Sequence, residues 1–198
     1  MTIEEFEMTE ALVIIDMQRW FFRTEARSGK LALLLSQVNA LAQAAAVAGR
    51  SIIIVRTAHT PDRSSWSLPM RRMDSGVMIE GTRDVEDVDG LWLPAITASV
   101  VKTRHSAFIR TDFEAVLRSA GITSLLLSGA FIDGCVGLTA IDASERDFQV
   151  RIAGDAVISV DDSQGEAMLR FLNSEFDVPA VRTGSLLAEF RNRGPDNI

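Results

Sequence analysis

The sequence contains few reactive side chains: among its 198 residues are one cysteine, two histidines and no tyrosine. A lone cysteine cannot form an internal disulfide, so the fold does not rest on a disulfide framework. Two histidines and one cysteine also make a His/Cys zinc site of three or four ligands difficult to assemble. We therefore expect neither a metal site nor another cofactor.

Positive charge is also scarce. Lys and Arg number 20 against 27 Asp and Glu, which gives a net charge of −7. This balance argues against nucleic acid as a main partner, because phosphate binding needs clustered Lys and Arg. The opening residues M-T-I-E-E-F-E-M-T-E lack the basic start and apolar stretch of a secretory signal. We expect a cytoplasmic protein, since a free cysteine suits a reducing compartment.

One uncharged segment, residues 31–49, has nearly the length of a membrane span. It includes Ser36, Gln37, Asn39 and Gln43, and much of the rest is alanine. That is weakly apolar for a span of about 20 residues. Its larger apolar side chains recur at helical spacing, which predicts an amphipathic helix packed on a core rather than a membrane partner.

Short apolar runs alternate with helical stretches along the chain. The predicted strands are residues 11–15, 51–55, 98–101, 124–128, 149–153 and 178–181, and the predicted helices are 30–48, 112–120, 135–146 and 163–173. Such alternation predicts a parallel sheet with helices on both faces. A chain of this length buries roughly 70% of its unfolded surface, which is enough for one core. We expect a single domain over 1–198, with its core at about 11–190 and frayed ends.

The stretch from 57 to 94 interrupts this alternation. It is rich in Asp, Ser, Gly, Pro and Arg and holds Trp66 and Trp92. A connection this long inside a compact domain is usually functional. We expect a lid, a substrate loop or a contact between subunits.

Reactive side chains follow several of the predicted strands. Ligands of open parallel sheets bind beyond the carboxyl ends of the strands. The residues there are Asp16 after the first strand, Arg56 and His59 after the second, Lys102 and His105 after the third, Asp133 and Cys135 after the fourth, and Asp155 after the fifth. An acid, a base and a thiol are therefore predicted to lie at one edge of the sheet.

Cys135 lies in a strand–turn–helix segment, S-G-A-F-I-D-G-C-V-G-L-T-A. The sulfur is placed in the first turn of a helix, where the macrodipole and free N–H groups stabilise a thiolate. Gly134 and Gly137 leave room for a substrate close to the backbone. Cys135 is the candidate nucleophile, and the alternative is a buried structural cysteine, as most lone cysteines are.

Two groups are candidates for activating that thiol. Asp16 ends a buried strand, where a carboxylate acts either as a cap or as a general base. Lys102 also ends an apolar strand and is either a surface lysine or a cation that lowers the thiol pKa. His105 and His59 are rival bases, and the residues alone do not decide between Asp16 and His105.

Three motifs resemble those of the isochorismatase-like cysteine hydrolases. A-L-V-I-I-D-M-Q-R-W-F at 11–21 resembles their opening D-x-Q-x-x-F motif, and V-V-K-T-R-H-S-A-F at 100–108 resembles their K-x-R-x-S-A-F segment. The segment at 121–143 resembles their nucleophile segment, usually G-V-A-T-D-x-C-V-x-x-T-A-x-D-A. The motifs occur in the family's order, and the resemblance covers about 11–190.

The resemblance implies a three-layer α/β/α sandwich with a six-stranded, mainly parallel sheet. It also implies a catalytic triad of Cys135, Asp16 and Lys102, with Asp16 as the base. A non-proline cis peptide is implied between Ala130 and Phe131, together with an oxyanion hole made by the N–H groups of Phe131 and Cys135.

Two positions depart from the family pattern. Ile132 stands where Thr is usual, and Phe131 stands where a small residue is usual, so Phe131 is expected either to narrow the pocket or to turn away from it. The nicotinamidase branch binds a metal through an Asp and several His in the loop after the second strand. Here His59 is the only histidine of that region, which argues against a metal site of this kind.

By resemblance, the chain is expected to hydrolyse a C–N bond in a small amide, carbamoyl or ureido compound through a thioester. The alternatives are an isochorismatase-type vinyl-ether hydrolase and a catalytically silent domain that binds a ligand or partner. We expect a homo-oligomer, a dimer or tetramer. Candidate substrate contacts are Trp20, Phe21, Arg56, Arg104, His105, Phe108 and Ile132.

Overall fold

The computed structural model describes residues 9–192, whose centre is a six-stranded parallel sheet. Its strands are β1 (Glu10–Ile15), β2 (Ser51–Thr57), β3 (Ala98–Lys102), β4 (Ser124–Ala130), β5 (Gln149–Ile158) and β6 (Ala180–Val181). They lie in the order β3-β2-β1-β4-β5-β6, and every neighbouring pair is parallel. This confirms the predicted fold class. The ends predicted to fray lie outside the described residues, except for residues 9, 10, 191 and 192. Glu10 belongs to β1 and residues 191 and 192 belong to the last helix, so the prediction is wrong for these three.

Helices cover both faces of the sheet. They are α1 (Glu25–Val47), α2 (Leu68–Arg72), α3 (Phe113–Ser119), α4 (Cys135–Ser144), α5 (Asp162–Phe176) and α6 (Thr183–Asn192). One core cluster joins the face of β1 that carries Val13 to α3, α4 and α5, and the other joins the face that carries Leu12 and Ile14 to α1 and α6. Strand β1 is buried on both faces, which explains its continuous apolar sequence.

Helix α1 is long and apolar enough to cross a membrane by length and composition alone. It packs on the sheet through Leu34, Val38 and Leu41, as the core helix of a globular domain does. The expected amphipathic character is wrong on the outward face, where Leu33 and Val47 are exposed instead of charged side chains. The charged residues of α1 lie in its first turns, and its remaining outward face carries apolar, small and uncharged polar side chains.

The end of the chain differs most from the predicted elements. Strand β5 runs through Ile158 because its register against β4 shifts between Leu127 and Gly129. Asp155, predicted to follow this strand, therefore lies within it. Its carboxylate accepts hydrogen bonds from the N and Oγ1 of Thr183, both at 2.7 Å, at the start of the unpredicted helix α6.

The stretch from 57 to 94 contains local structure. It includes α2, a 3-10 turn at Arg83–Val85, and isolated bridges that pair His59 with Ile79 and Gln18 with Asp87. Trp66 is buried in it, whereas Trp92 is exposed. Several of its side chains line a cavity at the carboxyl ends of the strands, so this stretch forms part of the wall of the site described next.

Candidate active site

The three predicted reactive residues lie together at the carboxyl edge of the sheet. Asp16 follows β1 directly in a left-handed conformation with φ of 55°, which an aspartate tolerates better than most residues. Lys102 ends β3 and Cys135 begins α4 after β4. Because β3, β2, β1 and β4 are successive neighbours in the sheet, their ends converge.

The ammonium group of Lys102 connects the site. Its Nζ donates to Asp16 Oδ2 at 2.8 Å, to Thr57 Oγ1 at 2.7 Å and to Cys135 Sγ at 3.2 Å. An ammonium has three N–H donors, so each has an acceptor. Lys102 and Asp16 are 1% and 0% exposed, which makes this a fully buried ion pair.

Thr57 is a member of this cluster that the sequence reasoning missed. Its hydroxyl donates to Asp16 Oδ1 at 2.8 Å while accepting from Lys102. Buried Gln18 holds its backbone, accepting from the N–H of Thr57 at 2.8 Å and donating to its carbonyl at 3.0 Å. The glutamine of the D-x-Q motif therefore fixes the residue that orients Asp16. The available signal was the hydroxyl side chain at the end of a buried strand.

The buried charges set the protonation of the cluster. Burial alone lowers the pKa of Lys102, but the charge of Asp16 and its hydrogen bond to Lys102 oppose this effect, so the pKa is raised and the amine stays charged. Burial and then the charge of Asp16 raise the pKa of the Cys135 thiol to about 12, against the opposing effect of Lys102. Cys135 therefore rests as a thiol and requires a base to form the thiolate.

A cavity of about 190 Å³ opens onto Cys135. Four of the predicted substrate contacts line it, namely Trp20, Phe21, Arg104 and His105. Larger clefts of about 500 and 540 Å³ lie elsewhere, and neither contains a member of the Asp16–Lys102–Cys135 cluster. The small cavity is therefore the candidate active site.

The stretch from 57 to 94 contributes further residues to the cavity lining, most of which the sequence did not predict. Met70, Val77 and Met78 line the cavity with Ser67, and His59 faces it after β2. The bridge between His59 and Ile79 draws this stretch across the strand ends. The side chains of this stretch lie at the cavity, which is the position expected of a substrate loop.

Three predicted contacts lie elsewhere. Arg56 forms a bidentate ion pair with Asp87, in which Nε donates to Oδ1 at 2.7 Å and Nη2 donates to Oδ2 at 2.6 Å. It cannot face the cavity because Thr57 does, and successive strand residues point to opposite faces. Phe108 packs between Phe113 and Phe148 in the core. Ile132 is 2% exposed in the same core cluster.

Gly137 also has a role other than the predicted one. A Cβ at this position would lie 2.2 Å from the carbonyl oxygen of Ile132 and 3.0 Å from Met168. The glycine therefore permits α4 to pack against the turn that precedes it and against α5. It does not make room for a substrate.

The turn before Cys135 contains a cis peptide bond between Ala130 and Phe131, at the position that the resemblance implies. The phenyl ring of Phe131 turns away from the cavity and packs against Phe21, at a centroid distance of 5.6 Å. Two neighbouring amides have backbone acceptors: Ile132 N donates to Ile158 O, and Val136 N to Phe131 O. Within residues 9–192, no backbone acceptor is assigned to the amides of Phe131 and Cys135.

Both histidines line the cavity in different settings. His105 is exposed, with Nδ1 3.5 Å from Cys135 Sγ. His59 is buried, with Nδ1 3.3 Å from the carbonyl oxygen of Ser65. Burial, with positive charge nearby, lowers the pKa of each imidazole below 6.5. Among the described residues, no group of three or more His, Cys, Asp or Glu side chains is arranged to hold a metal ion.

Fold and site together define an α/β protein with a buried Asp–Lys pair beside a cysteine at the start of a helix. The isochorismatase domain model matches residues 10–182, and the chain therefore belongs to the isochorismatase family of hydrolases.

Three relatives illustrate the range of the family. The chain is 29% identical over 158 residues to a probable inactive nicotinamidase of Arabidopsis thaliana, covering 74% of this chain and 79% of that one. It is 27% identical over 174 residues to the ureidoacrylate amidohydrolase RutB of Methylorubrum extorquens, covering 75% and 69% respectively. An isochorismatase family protein of Desulfovibrio vulgaris matches with a TM-score of 0.81 and 27% identity over 93% of this chain and 99% of that one.

Proposed function

We propose that this protein hydrolyses a C–N bond of a small amide, carbamoyl or ureido compound through a thioester on Cys135. One observation carries the proposal: a buried Asp16–Lys102 pair contacts the cysteine at the floor of a cavity. A relative named as a ureidoacrylate amidohydrolase supports amide chemistry. One relative is named as a probable inactive nicotinamidase. In this chain Asp16, Lys102 and Cys135 are all present.

The first half of the reaction forms the thioester. Asp16 accepts the thiol proton, and the thiolate attacks the carbonyl carbon of the substrate. Lys102 stabilises the thiolate and holds Asp16 by hydrogen bonds to both. Asp16 then gives the proton to the departing nitrogen as the C–N bond breaks. General acid–base help of this kind contributes about 10²–10⁴-fold to the rate.

The carbonyl oxygen acquires negative charge during this attack. The amides of Phe131 and Cys135 are the proposed donors to it, because neither donates to a backbone carbonyl in the described structure. Cys135 is the first residue of α4, where the helix dipole also favours an anion. Losing one such donor typically costs about 10²–10³-fold in rate. Water then cleaves the thioester and releases the acid.

The cavity limits the substrate. Its volume of about 190 Å³ admits only a small molecule, and its walls include Trp20, Phe21 and Met70. Arg104 faces it, fixed through its Nη1 to the carbonyls of Ser65 and Thr103. The lining residues include Lys102 and Arg104 but no Asp or Glu. This charge distribution favours a neutral or acidic amide over a cationic one.

A hydrolysis screen tests the function. Primary amides, carbamoyl amines, ureido acids and isochorismate are incubated with the wild type and with Cys135→Ala, and ammonia and pyruvate are measured. We expect ammonia release by the wild type alone. Ammonia release by Cys135→Ala at the wild-type rate would contradict the thioester mechanism. Pyruvate release from isochorismate that survives this substitution would indicate vinyl-ether hydrolysis instead.

A further inference from the structure

The sulfur of Cys135 has a buried side and an open side. On the buried side, the Nζ of Lys102 lies 3.2 Å from Sγ. Lys102 borders the cavity but is only 1% exposed, and Asp16 is 0% exposed. On the open side, the Nδ1 of His105 lies 3.5 Å from Sγ, and His105 is exposed and lines the cavity. Substrate and water reach the sulfur through the cavity, and therefore from the side of His105.

Asp16 is less accessible from the cavity than His105 is. It is 0% exposed, and its two carboxylate oxygens accept from Thr57 Oγ1 and Lys102 Nζ. These contacts hold Asp16 in place for the first half of the reaction, in which it takes a proton from the thiol and gives it to the departing nitrogen. The water that cleaves a thioester must approach the carbonyl carbon from the face that the amine has left, which is the open side.

The groups around His105 keep its imidazole uncharged near neutral pH. Partial burial has the largest effect and lowers its pKa, the charge of Lys102 on β3 lowers it further, and Asp16 beyond β1 opposes them. Arg104, the preceding residue, Cys135 on α4 and His59 after β2 are the other ionisable groups that line the cavity. A neutral imidazole can accept a proton.

We infer that His105 is the base of the second half-reaction, in which the acyl group leaves Cys135, and that Asp16 serves the first. This inference rests on the proposed function and adds a residue to it. His105 accepts a proton from water while the water oxygen bonds to the thioester carbon. The tetrahedral intermediate collapses, the C–S bond breaks, and the protonated imidazole returns a proton to Sγ. The products are the carboxylic acid and the resting thiol.

The reaction with p-nitrophenyl acetate tests this role without requiring the natural substrate. Acylation of Cys135 releases p-nitrophenolate at once, and subsequent turnover reports deacylation. The variant His105→Asn retains a hydrogen-bonding group near Sγ but accepts no proton at neutral pH. We expect it to release about one equivalent of p-nitrophenolate per Cys135 in a burst, followed by a steady rate lower than the wild type by about 10²–10⁴-fold. Mass spectrometry should then find the acetyl group on Cys135.

The matched control is His59→Asn, which removes the other histidine of the cavity and leaves His105 in place. No acetyl-enzyme should accumulate in this variant. A His105→Asn variant that acylates slowly and shows neither burst nor adduct would overturn the inference, because His105 would then position the thiol. Unchanged burst and steady rates in His105→Asn would also overturn it.

The pH profile gives a second readout. In the wild type, deacylation should fall as the pH drops through the lowered pKa of His105, below 6.5, because the protonated imidazole accepts nothing. This acidic limb should disappear in His105→Asn. A limb that persists unchanged would assign it to another group and overturn the inference. If every amide in the screen is inert while the p-nitrophenyl acetate results hold, the proposed amide chemistry fails and the role of His105 stands.

Discussion

Lys102 is charged, buried and fully hydrogen-bonded, which makes it sensitive to the loss of any partner. Its interaction with Asp16 compensates two desolvated charges at once. Removing one member of such a pair leaves an uncompensated buried charge, whereas replacing both by neutral groups is far less costly. The pair therefore contributes to folding as well as to the proposed chemistry.

A double-mutant cycle tests this coupling. Lys102→Met should reduce the free energy of unfolding by about 3–5 kcal/mol because Asp16 is left unpaired. Asp16→Asn combined with Lys102→Met should recover most of that loss. Urea denaturation of the two single variants and the double variant measures the coupling. Additive effects would show that the two charges do not stabilise each other.

Removing the charge of Asp16 is expected to make the thiol of Cys135 more reactive toward alkylation, although the enzyme becomes inactive. The charge of Asp16 raises the thiol pKa, so Asp16→Asn should lower it from about 12 while abolishing turnover. Iodoacetamide should therefore label Cys135 faster in the inactive variant than in the wild type at the same mildly alkaline pH. Equal labelling rates across pH 8–10 would show that Asp16 does not influence the thiol. Cys135 is the only cysteine, so no second thiol contributes to the signal.

At the scale of elements, the geometry of the site depends on how closely β4 and α4 pack. Gly129 allows β4 to approach β1, since a Cβ there would lie 2.0 Å from the carbonyl oxygen of Ile15. Gly137 does the same for α4 against Ile132. Neither glycine contacts the cavity, yet both fix the position of the turn that carries Cys135.

Two glycine-to-alanine substitutions compare the effect of tight packing at Gly137 with the effect of helix propensity at Gly29. Gly137→Ala should lower the free energy of unfolding by about 1–3 kcal/mol, because the added methyl overpacks the start of α4. It should also reduce activity by displacing Cys135. Gly29→Ala, in α1, meets nothing within 4 Å and should instead stabilise the protein, by about 0.5–1 kcal/mol. Thermal and urea denaturation compare the two, and equal effects would contradict this account.

Most strands were predictable because the apolar runs are continuous and bounded by turns. The predicted end of β5 was wrong because the register shift against β4 lets the strand continue beyond a glycine and an aspartate, Gly154 and Asp155. Helix α6 was missed although Asp155 provides two hydrogen bonds at its start, because that partner lies 28 residues away in sequence. Long-range caps of this kind leave no local pattern.

At the scale of the whole molecule, topology decides which predicted site residues meet. Asp16, Lys102 and Cys135 follow strands that are close neighbours, so the order of strands brings them together. The sequence does not show which side chains at the end of a strand face the cavity. Arg56 was predicted to contact the substrate, but its neighbour Thr57 faces the cavity instead. Phe108 was also predicted to contact the substrate, but its ring packs in the core.

The burial of Lys102 also provides a built-in reporter of unfolding. The chain contains only two lysines, Lys102 and Lys30, and Lys30 lies on the partly exposed side of α1. An amine-specific reagent should modify Lys30 in the native protein and reach Lys102 only in molecules that have opened. Peptide mapping after timed exposure should therefore give the opening rate from Lys102, with Lys30 as the internal standard. Equal labelling of the two lysines under native conditions would contradict the enclosed environment of Lys102.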